Sequence, residues 1–304
     1  MILKGVSTLF IFSLLLFMIV LIFYLSNVNL KEDVSVFTMT GNIIDENYDL
    51  SNSSIFRFNS SEIGYSIDKD CSINQISNIQ KSFFILNNLT VLSFYSTEKN
   101  EKILITCLNP NLTLKEDLIL GEGGPDIITQ VGNNVLINHG KVNIYDEEVC
   151  AVPLVTIHEI LHVLGFNHTN DTMDVMYPVS NCNQKINNET INAINNIYES
   201  PSLPDLLFRK INLSPHKDYI DFDIEIYNNG LTNANDVNFS INGEDLNRVY
   251  ELGNISIGGG KIIKVRNLPI FSTIFQLEIY IDKEKNILEV NEDNNQRILS
   301  LNSS

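Results

Sequence analysis

The first feature of the hydropathy pattern is one uninterrupted apolar run, GVSTLFIFSLLLFMIVLIFYL at residues 5–25, which contains no charge. It is long enough to cross a bilayer as a helix of about 20 residues. It exceeds the usual apolar core of a cleaved leader, and the following YLSNVNLKED is a poor match to a cleavage site. An uncleaved anchor over residues 1–29 is therefore expected in preference to a cleaved signal, and either one exports the rest of the chain. Residues 30–54 are polar with little periodicity and read as a spacer.

From residue 55 the pattern changes to short alternating and helical segments. Ile63 to Asp68 predicts a strand. Ile76, Ile79, Phe83 and Phe84 predict the apolar stripe of a helix capped by Ser72 or Asn74. Val91 to Tyr95 and Lys102 to Leu108 are β-rich. Gly121 to Pro125 reads as a glycine-rich turn, too short and too acidic for a phosphate loop. Val135 to Asn138 and Lys141 to Tyr145 flank His139-Gly140, which reads as a hairpin. Leu154, Ile157, Leu161 and Leu164 mark a second helix with Pro153 in its first turn. Ile191, Ile194 and Ile197 mark a third, capped by Asn187 or Asn188. Pro201 and Pro204 then block helix continuation and form a linker. Beyond it the spacing is that of short strands, at Asp205–Leu213, Tyr219–Tyr227, Asp236–Ile241, Lys261–Val265 and Phe275–Ile281. The intervening turns are NNG, NGED, GGGK and DKEKN, a pattern that predicts an all-β sandwich.

Composition narrows the class. The formal net charge of −17 argues against nucleic acid or an anionic lipid surface as a partner, since both require a basic face. Four cysteines in an exported chain predict two disulfides among three possible pairings. Cys71 precedes the first helix and Cys107 ends the third strand, while Cys150 and Cys182 flank the second helix and its loop. The pairing expected is Cys71 with Cys107 and Cys150 with Cys182. No CxxC pair offers a zinc knuckle. Eleven N-x-S/T sequons occur, many of them a consequence of an asparagine-rich composition.

The chemistry concentrates in His158 to His168, HEILHVLGFNH. His158 and His162, four residues apart on a helix, lie one turn apart on one face. Gly165 lets the helix stop and the chain reverse, which carries His168 back toward the first two rings. Three imidazoles make a zinc site with one position left for water, and a neighbouring carboxylate, Glu159, can take that water's proton.

These residues resemble the metzincin metallopeptidases, whose motif H-E-x-x-H-x-x-G-x-x-H precedes a methionine turn. That turn is present as Asp174-Val175-Met176-Tyr177-Pro178, and its Met-Tyr-Pro is most similar to the matrixins. INNETINAINNIYE (186–199) resembles the matrixin C-terminal helix, and IGYSID, VLSFYS and KILITC follow the order of the matrixin strands, so the resemblance spans about residues 55–200. It implies an α+β catalytic domain with a twisted mixed sheet and three helices, one catalytic zinc on His158, His162 and His168, Glu159 as general base, and Met176 as an apolar floor. It also implies that Tyr177 and Pro178 shape the pocket beyond the scissile bond. By the same analogy Val135, Leu136 and Ile137 form an edge strand that receives the substrate. The structural zinc and calcium sites of matrixins are not matched, since His139 stands alone before the motif, and no cysteine switch precedes Cys71.

Residues 201–304 resemble the CARDB domain, an adhesion-related immunoglobulin-like sandwich. The matching residues are Pro204-Asp205-Leu206, Asn228-Asn229-Gly230 and the closing IYIDKEKNILEVNEDNNQ. Asp282, Glu289, Glu292 and Asn294 could hold calcium there, but solvated turn residues are the preferred reading. The whole chain reads as an extracytoplasmic zinc endopeptidase, membrane-anchored or secreted, acting on protein or peptide substrates, with a C-terminal domain that binds cell-surface components. The rivals are an adhesion protein with an inactive metallopeptidase-like domain and a hydrolase of cell-wall peptides.

Overall fold

The computed structural model describes residues 31–40, 43–45, 55–107, 119–132, 134–145, 150–244, 246–270 and 276–300. The apolar run at 5–25 lies outside them; among the described residues no helix is long and apolar enough to cross a membrane. The first elements are β1 (Asp33–Met39), β2 (Ile43–Asp45), β3 (Ile55–Arg57), β4 (Glu62–Ile67) and α1 (Ile73–Leu89). They are followed by β5 (Ser93–Ser96), β6 (Ile103–Thr106), β7 (Gly121–Val131) and β8 (Asn134–Ile144), then α2 (Leu154–Val163) and α3 (Asn188–Glu199).

Strands β2 to β8 form one mixed sheet in the order β2-β7-β8-β6-β4-β5, with β3 also paired to β8. β7 runs antiparallel to β8, and β6 and β3 run parallel to it. α1 starts where Ser72 and Gln75 exchange hydrogen bonds as a capping box, at 3.2 and 2.9 Å. Its Ile79, Phe83 and Leu86 are buried, and Phe83 stacks on Tyr65 of β4 with 3.8 Å between ring centroids. Phe84, expected in the same stripe, is 67% exposed, because adjacent helical residues point about 100° apart and only one of the pair can face the sheet.

Two expectations for the sheet are corrected. Gly121 to Pro125 is the first half of strand β7, and His139-Gly140 lies inside the continuous strand β8. The hairpin turn falls instead after Val131, where Gly132 adopts φ +56°. A glycine cluster looks like a turn from local propensity. Here the missing side chains serve a close approach of α2.

Arg57 is buried at 4% exposure and closes this first unit. Its guanidinium donates to the carbonyls of Ile197 (2.7 Å) and Ser200 (3.4 Å) and to Ser202 Oγ (3.2 Å), and lies over the Tyr198 ring. A cation therefore sits on the unsatisfied carbonyls and negative dipole end of α3, just where the linker departs.

The second unit contains β9 (Leu206–Pro215), β10 (Tyr219–Asn228), β11 (Ala234–Gly243), β12 (Leu246–Ile255), β13 (Gly260–Pro269), β14 (Gln276–Ile281) and β15 (Gln296–Ser300). Two four-stranded sheets, β1-β13-β10-β9 and β12-β11-β14-β15, enclose a core that includes Phe222, Phe239, Ile224 and Ile279. Every second residue of β10 is buried, matching its YIDFDIEIYN alternation.

The spacer reading of residues 30–54 is corrected as well. β1 pairs along its whole length with β13, from Asp33 opposite Arg266 to Met39 opposite Gly260, so the sandwich takes a strand from the N-terminal segment. Glu32 anchors that strand through Arg248 (3.1 Å) and Tyr250 (2.7 Å). β2 then pairs with Ile127 to Thr129 of β7. Val34, Val36 and Phe37 remain partly exposed on a sheet edge, which explains why no strong apolar signal marked them. Leu231 and the partly buried Ile257 of the sandwich pack on Val131 and Leu136 of the mixed sheet.

Of the three possible cysteine pairings, the structure holds Cys71–Cys107 and Cys150–Cys182, with Cα separations of 4.9 and 5.3 Å.

Candidate active site

α2 begins directly after Pro153, which stands at the N-cap. Leu154, Ile157, Ile160, Leu161 and Val163 bury one side against the sheet, while His158 and His162 emerge on the other. Gly165, at φ +91°, reverses the chain; a Cβ there would lie 2.4 Å from Phe56, so both the backbone angle and the space demand glycine. Closure is completed by Gly165 N–H on His162 O (2.9 Å) and Phe166 N–H on Leu161 O (3.0 Å).

The reversal brings His168 to the helix. The three Nε2 atoms lie 3.0 Å (His158–His162), 3.1 Å (His158–His168) and 3.1 Å (His162–His168) apart. His158 Nδ1 donates to Val175 O at 2.6 Å and His162 Nδ1 to Phe166 O at 2.8 Å. A ring nitrogen facing a carbonyl oxygen must carry the hydrogen, which leaves Nε2 of both rings with a bare lone pair. Burial lowers the His158 pKa and pushes that of His162 down to about 4, so these imidazoles stay neutral at pH 7. Lone pairs pointed at one another from 3 Å repel. A cation between them removes the repulsion, and a neutral nitrogen set of this kind suits zinc. Among the described residues this is also the one group of three or more His, Cys, Asp or Glu donors close enough to share an ion.

The loop after the helix is held by Asp174, a residue the sequence did not single out beyond the turn. It is 1% exposed; its side chain accepts from Met176 N–H (2.8 Å) and from the Asn187 amide, and Asn187 in turn caps α3. Val175 N–H bonds Lys185 O at 2.9 Å, and Thr169 N–H bonds Met176 O at 2.9 Å. The third histidine, the methionine turn and α3 are thereby locked to one another. Met176 is 1% exposed and lies in the core cluster with Leu161 and Ile157. A buried carboxylate placed to accept backbone N–H groups is legible only in three dimensions.

The cleft is lined by residues 119–123, Val155, the three histidines, Glu159 and residues 177–180, which brings Tyr177 and Pro178 to it. Val135, Leu136 and Ile137 are not there. They are 0%, 3% and 1% exposed in β8; all three pair with β7, and Val135 and Leu136 pair with β3 on the other side. The free edge belongs instead to β7: β2 covers Ile127 to Thr129, and no described strand pairs the outer side of Gly121 to Asp126. His139 lies outside the cleft, bound to Asp126 at 2.6 Å.

Glycine brings this edge against the helix. A Cβ on Gly123 would stand 2.2 Å from Glu159 O, and one on Gly121 would stand 2.9 Å from Glu159 Cγ. Glu159 is consequently enclosed at 6% exposure. Burial, reinforced by the charge of Glu122, raises its pKa to about 7, against a backbone hydrogen bond from Gly123. Gly123→Ala is expected to cost about 1–3 kcal/mol, because the new Cβ would strike the backbone of α2, where no flexible side chain can yield. At Gly124 a Cβ meets nothing within 4 Å, so Gly124→Ala is the matched control. Thermal unfolding of the two variants tests this, and equal midpoints would refute the packing argument.

The calcium candidates do not gather. Asp282 accepts from Ile287 N–H (2.6 Å), and Glu289 accepts from Leu206 N–H (2.5 Å) and Asn295 (2.6 Å). Asn294 donates to Asp205 (2.8 Å), and Glu292 lies 3.8 Å from Lys285. These side chains staple the closing loop of the sandwich.

Residues 140–199 match the matrixin (peptidase M10) family model, and residues 204–298 match the CARDB model. No curated protein matches. Solved structures with some likeness include a CARDB domain from Pyrococcus furiosus in complex with di-metal ions, at 14% identity and TM-score 0.27, covering 32% of this chain and 88% of that one. Another is high choriolytic enzyme 1, a hatching-enzyme zinc-protease from Oryzias latipes (18%, TM-score 0.26, 40% of this chain and 53% of that one). A third is OgpA from Akkermansia muciniphila (10%, TM-score 0.22, 83% and 96%). The family matches meet the geometry at the same residues: the histidine triad falls inside the matrixin segment and the two-sheet core inside the CARDB segment, so the chain carries a matrixin zinc metalloendopeptidase domain followed by a CARDB domain.

Proposed function

We propose that this protein is an extracytoplasmic zinc endopeptidase that hydrolyses peptide bonds with His158, His162 and His168 as zinc ligands and Glu159 as general base and acid. The observation that carries this reading is the convergence of three Nε2 atoms within 3.1 Å of one another beside an enclosed carboxylate. Zinc held there supplies Lewis acidity and makes water at its remaining position acidic near neutral pH.

The chain's own groups supply the rest. The β7 edge at Gly121 to Asp126, which no described strand pairs, accepts an extended peptide as an added strand, through main-chain hydrogen bonds, in place of the Val135 to Ile137 segment. Glu159, adjacent in the helix to a ligand and open to the cleft, takes a proton from the attacking water and returns it to the leaving amine. Tyr177 and Pro178 wall the cleft beyond the triad and orient the residue after the scissile bond. Met176 floors the site without ligating. Residues 55–200 form the catalytic unit and 201–304 the sandwich, to which β1 contributes. Two disulfides fit an oxidising compartment, and with it export.

Purified protein is expected to hold one zinc per chain and to cleave a mixed peptide library. Alanine at any one of the three histidines is expected to abolish both. Zinc binding without cleavage of any peptide would favour the adhesion reading, in which the sandwich carries the function.

A further inference from the structure

The free edge of β7 carries one side chain that the mechanism leaves unused. Along a strand, successive side chains alternate faces. Gly121 and Gly123 face α2, where an added Cβ would strike Glu159, so Glu122 points to the opposite face. Gly124 shares that face and opens onto free space. Glu122 is exposed and lines the cleft. Its Oε2 accepts from Tyr145 Oη at 2.8 Å, which orients the carboxylate and leaves Oε1 without a hydrogen bond among the described residues. Among the described residues no lysine, arginine or histidine nitrogen lies within 4.0 Å of it; Lys141 stands opposite Gly124 on β8, two residues along, without forming an ion pair. Asp126, the next carboxylate on this edge, already has His139.

We infer that Glu122 is a specificity-determining residue, selecting substrates with a lysine or arginine at the position that pairs opposite it on the β7 edge. The inference rests on the peptidase reading and on that edge as the substrate strand. Residues directly opposite in a ladder share a face, with Cβ atoms about 4.5–5.5 Å apart, and opposite charges there attract while like charges repel. A substrate residue opposite Glu122 therefore extends beside its carboxylate whichever way the peptide runs. Its two neighbours point to the other face, toward Glu159 and the triad. An arginine can engage the free Oε1 with its planar fork. Among the described residues no competing cation has to be displaced.

The test is a set of quenched-fluorescent peptides in which each position around the scissile bond is Lys, Arg, Gln or Glu in turn. They are cleaved by zinc-loaded wild type, Glu122→Gln and Glu122→Lys. The wild type is expected to favour Lys or Arg over Gln by about threefold to fivefold in kcat/KM at one position. The ratio at that position is expected to fall to about one in Glu122→Gln, and to invert in favour of Glu in Glu122→Lys. Added salt should shrink the wild-type ratio, since the pair is exposed. Cleavage by the wild type without such a preference, or a preference that survives Glu122→Gln, overturns this inference and leaves the peptidase reading standing. No cleavage of any peptide overturns both.

Discussion

Replacing Glu159 with Gln is expected to lower kcat/KM on any cleaved peptide by roughly 10²–10⁴-fold, the range for losing a positioned general base. Gln keeps the size and the acceptor that meets the Gly123 N–H, and it removes the carboxylate beside the histidines that holds and returns the proton. Metal content and unfolding midpoint should stay near those of the wild type, because the three ligands and their carbonyl partners are untouched. Steady-state kinetics beside zinc analysis decides the matter. Undiminished turnover would mean that another group moves the proton. A loss of zinc together with activity would mean that the carboxylate supports the site rather than acting in it.

Removing the Cys150–Cys182 bridge by paired alanine substitutions is expected to cost about 3–4 kcal/mol of stability, from the chain entropy released to a loop with a sequence separation of 32. The magnitude matters less than its location. This loop contains all three histidines and the methionine turn, and the bridge joins the approach to α2 to the segment that follows Tyr177 and Pro178. Zinc affinity should therefore fall along with stability. Loss of the Cys71–Cys107 bridge, with a separation of 36, has a similar entropic cost and should leave zinc affinity unchanged, since it ties the start of α1 to the end of β6. Chemical denaturation and zinc titration of the two double variants separate the cases. Equal zinc affinities would show that α2 and its turn are held by packing and by Asp174 alone.

The two kinds of inference differ in range. A helix face, a helix cap and an alternating strand are set by residues within a few positions of one another, and these were legible. Ser72, one of the two caps expected for the first helix, and the YIDFDIEIYN alternation occur where their local chemistry puts them. Glu62–Ile67 formed where Ile63 to Asp68 was expected, and the first helix started at its cap even though Phe84 turned outward. The errors fall where a distant partner decided the outcome. β12 and β15 were missed because each is the edge strand of a sheet with one face toward solvent, which leaves a weaker alternation to read.

The zinc motif belongs to the chain itself. Histidines four apart on a helix, with a glycine that permits positive φ and a third histidine after it, must converge once that short segment folds, because the geometry is local. Long-range contacts alone decided which strand presents the free edge. Gly121 to Pro125 is extended because α2 comes to within contact of a backbone that carries no side chains, and β8 is interior because β3 and β6 pair with its far side. The N-terminal segment likewise became two strands because unpaired edges of β13 and β7 were waiting for it. A backbone N–H or C=O has the same chemistry at every position, so its pairing partner is chosen by the fold as a whole.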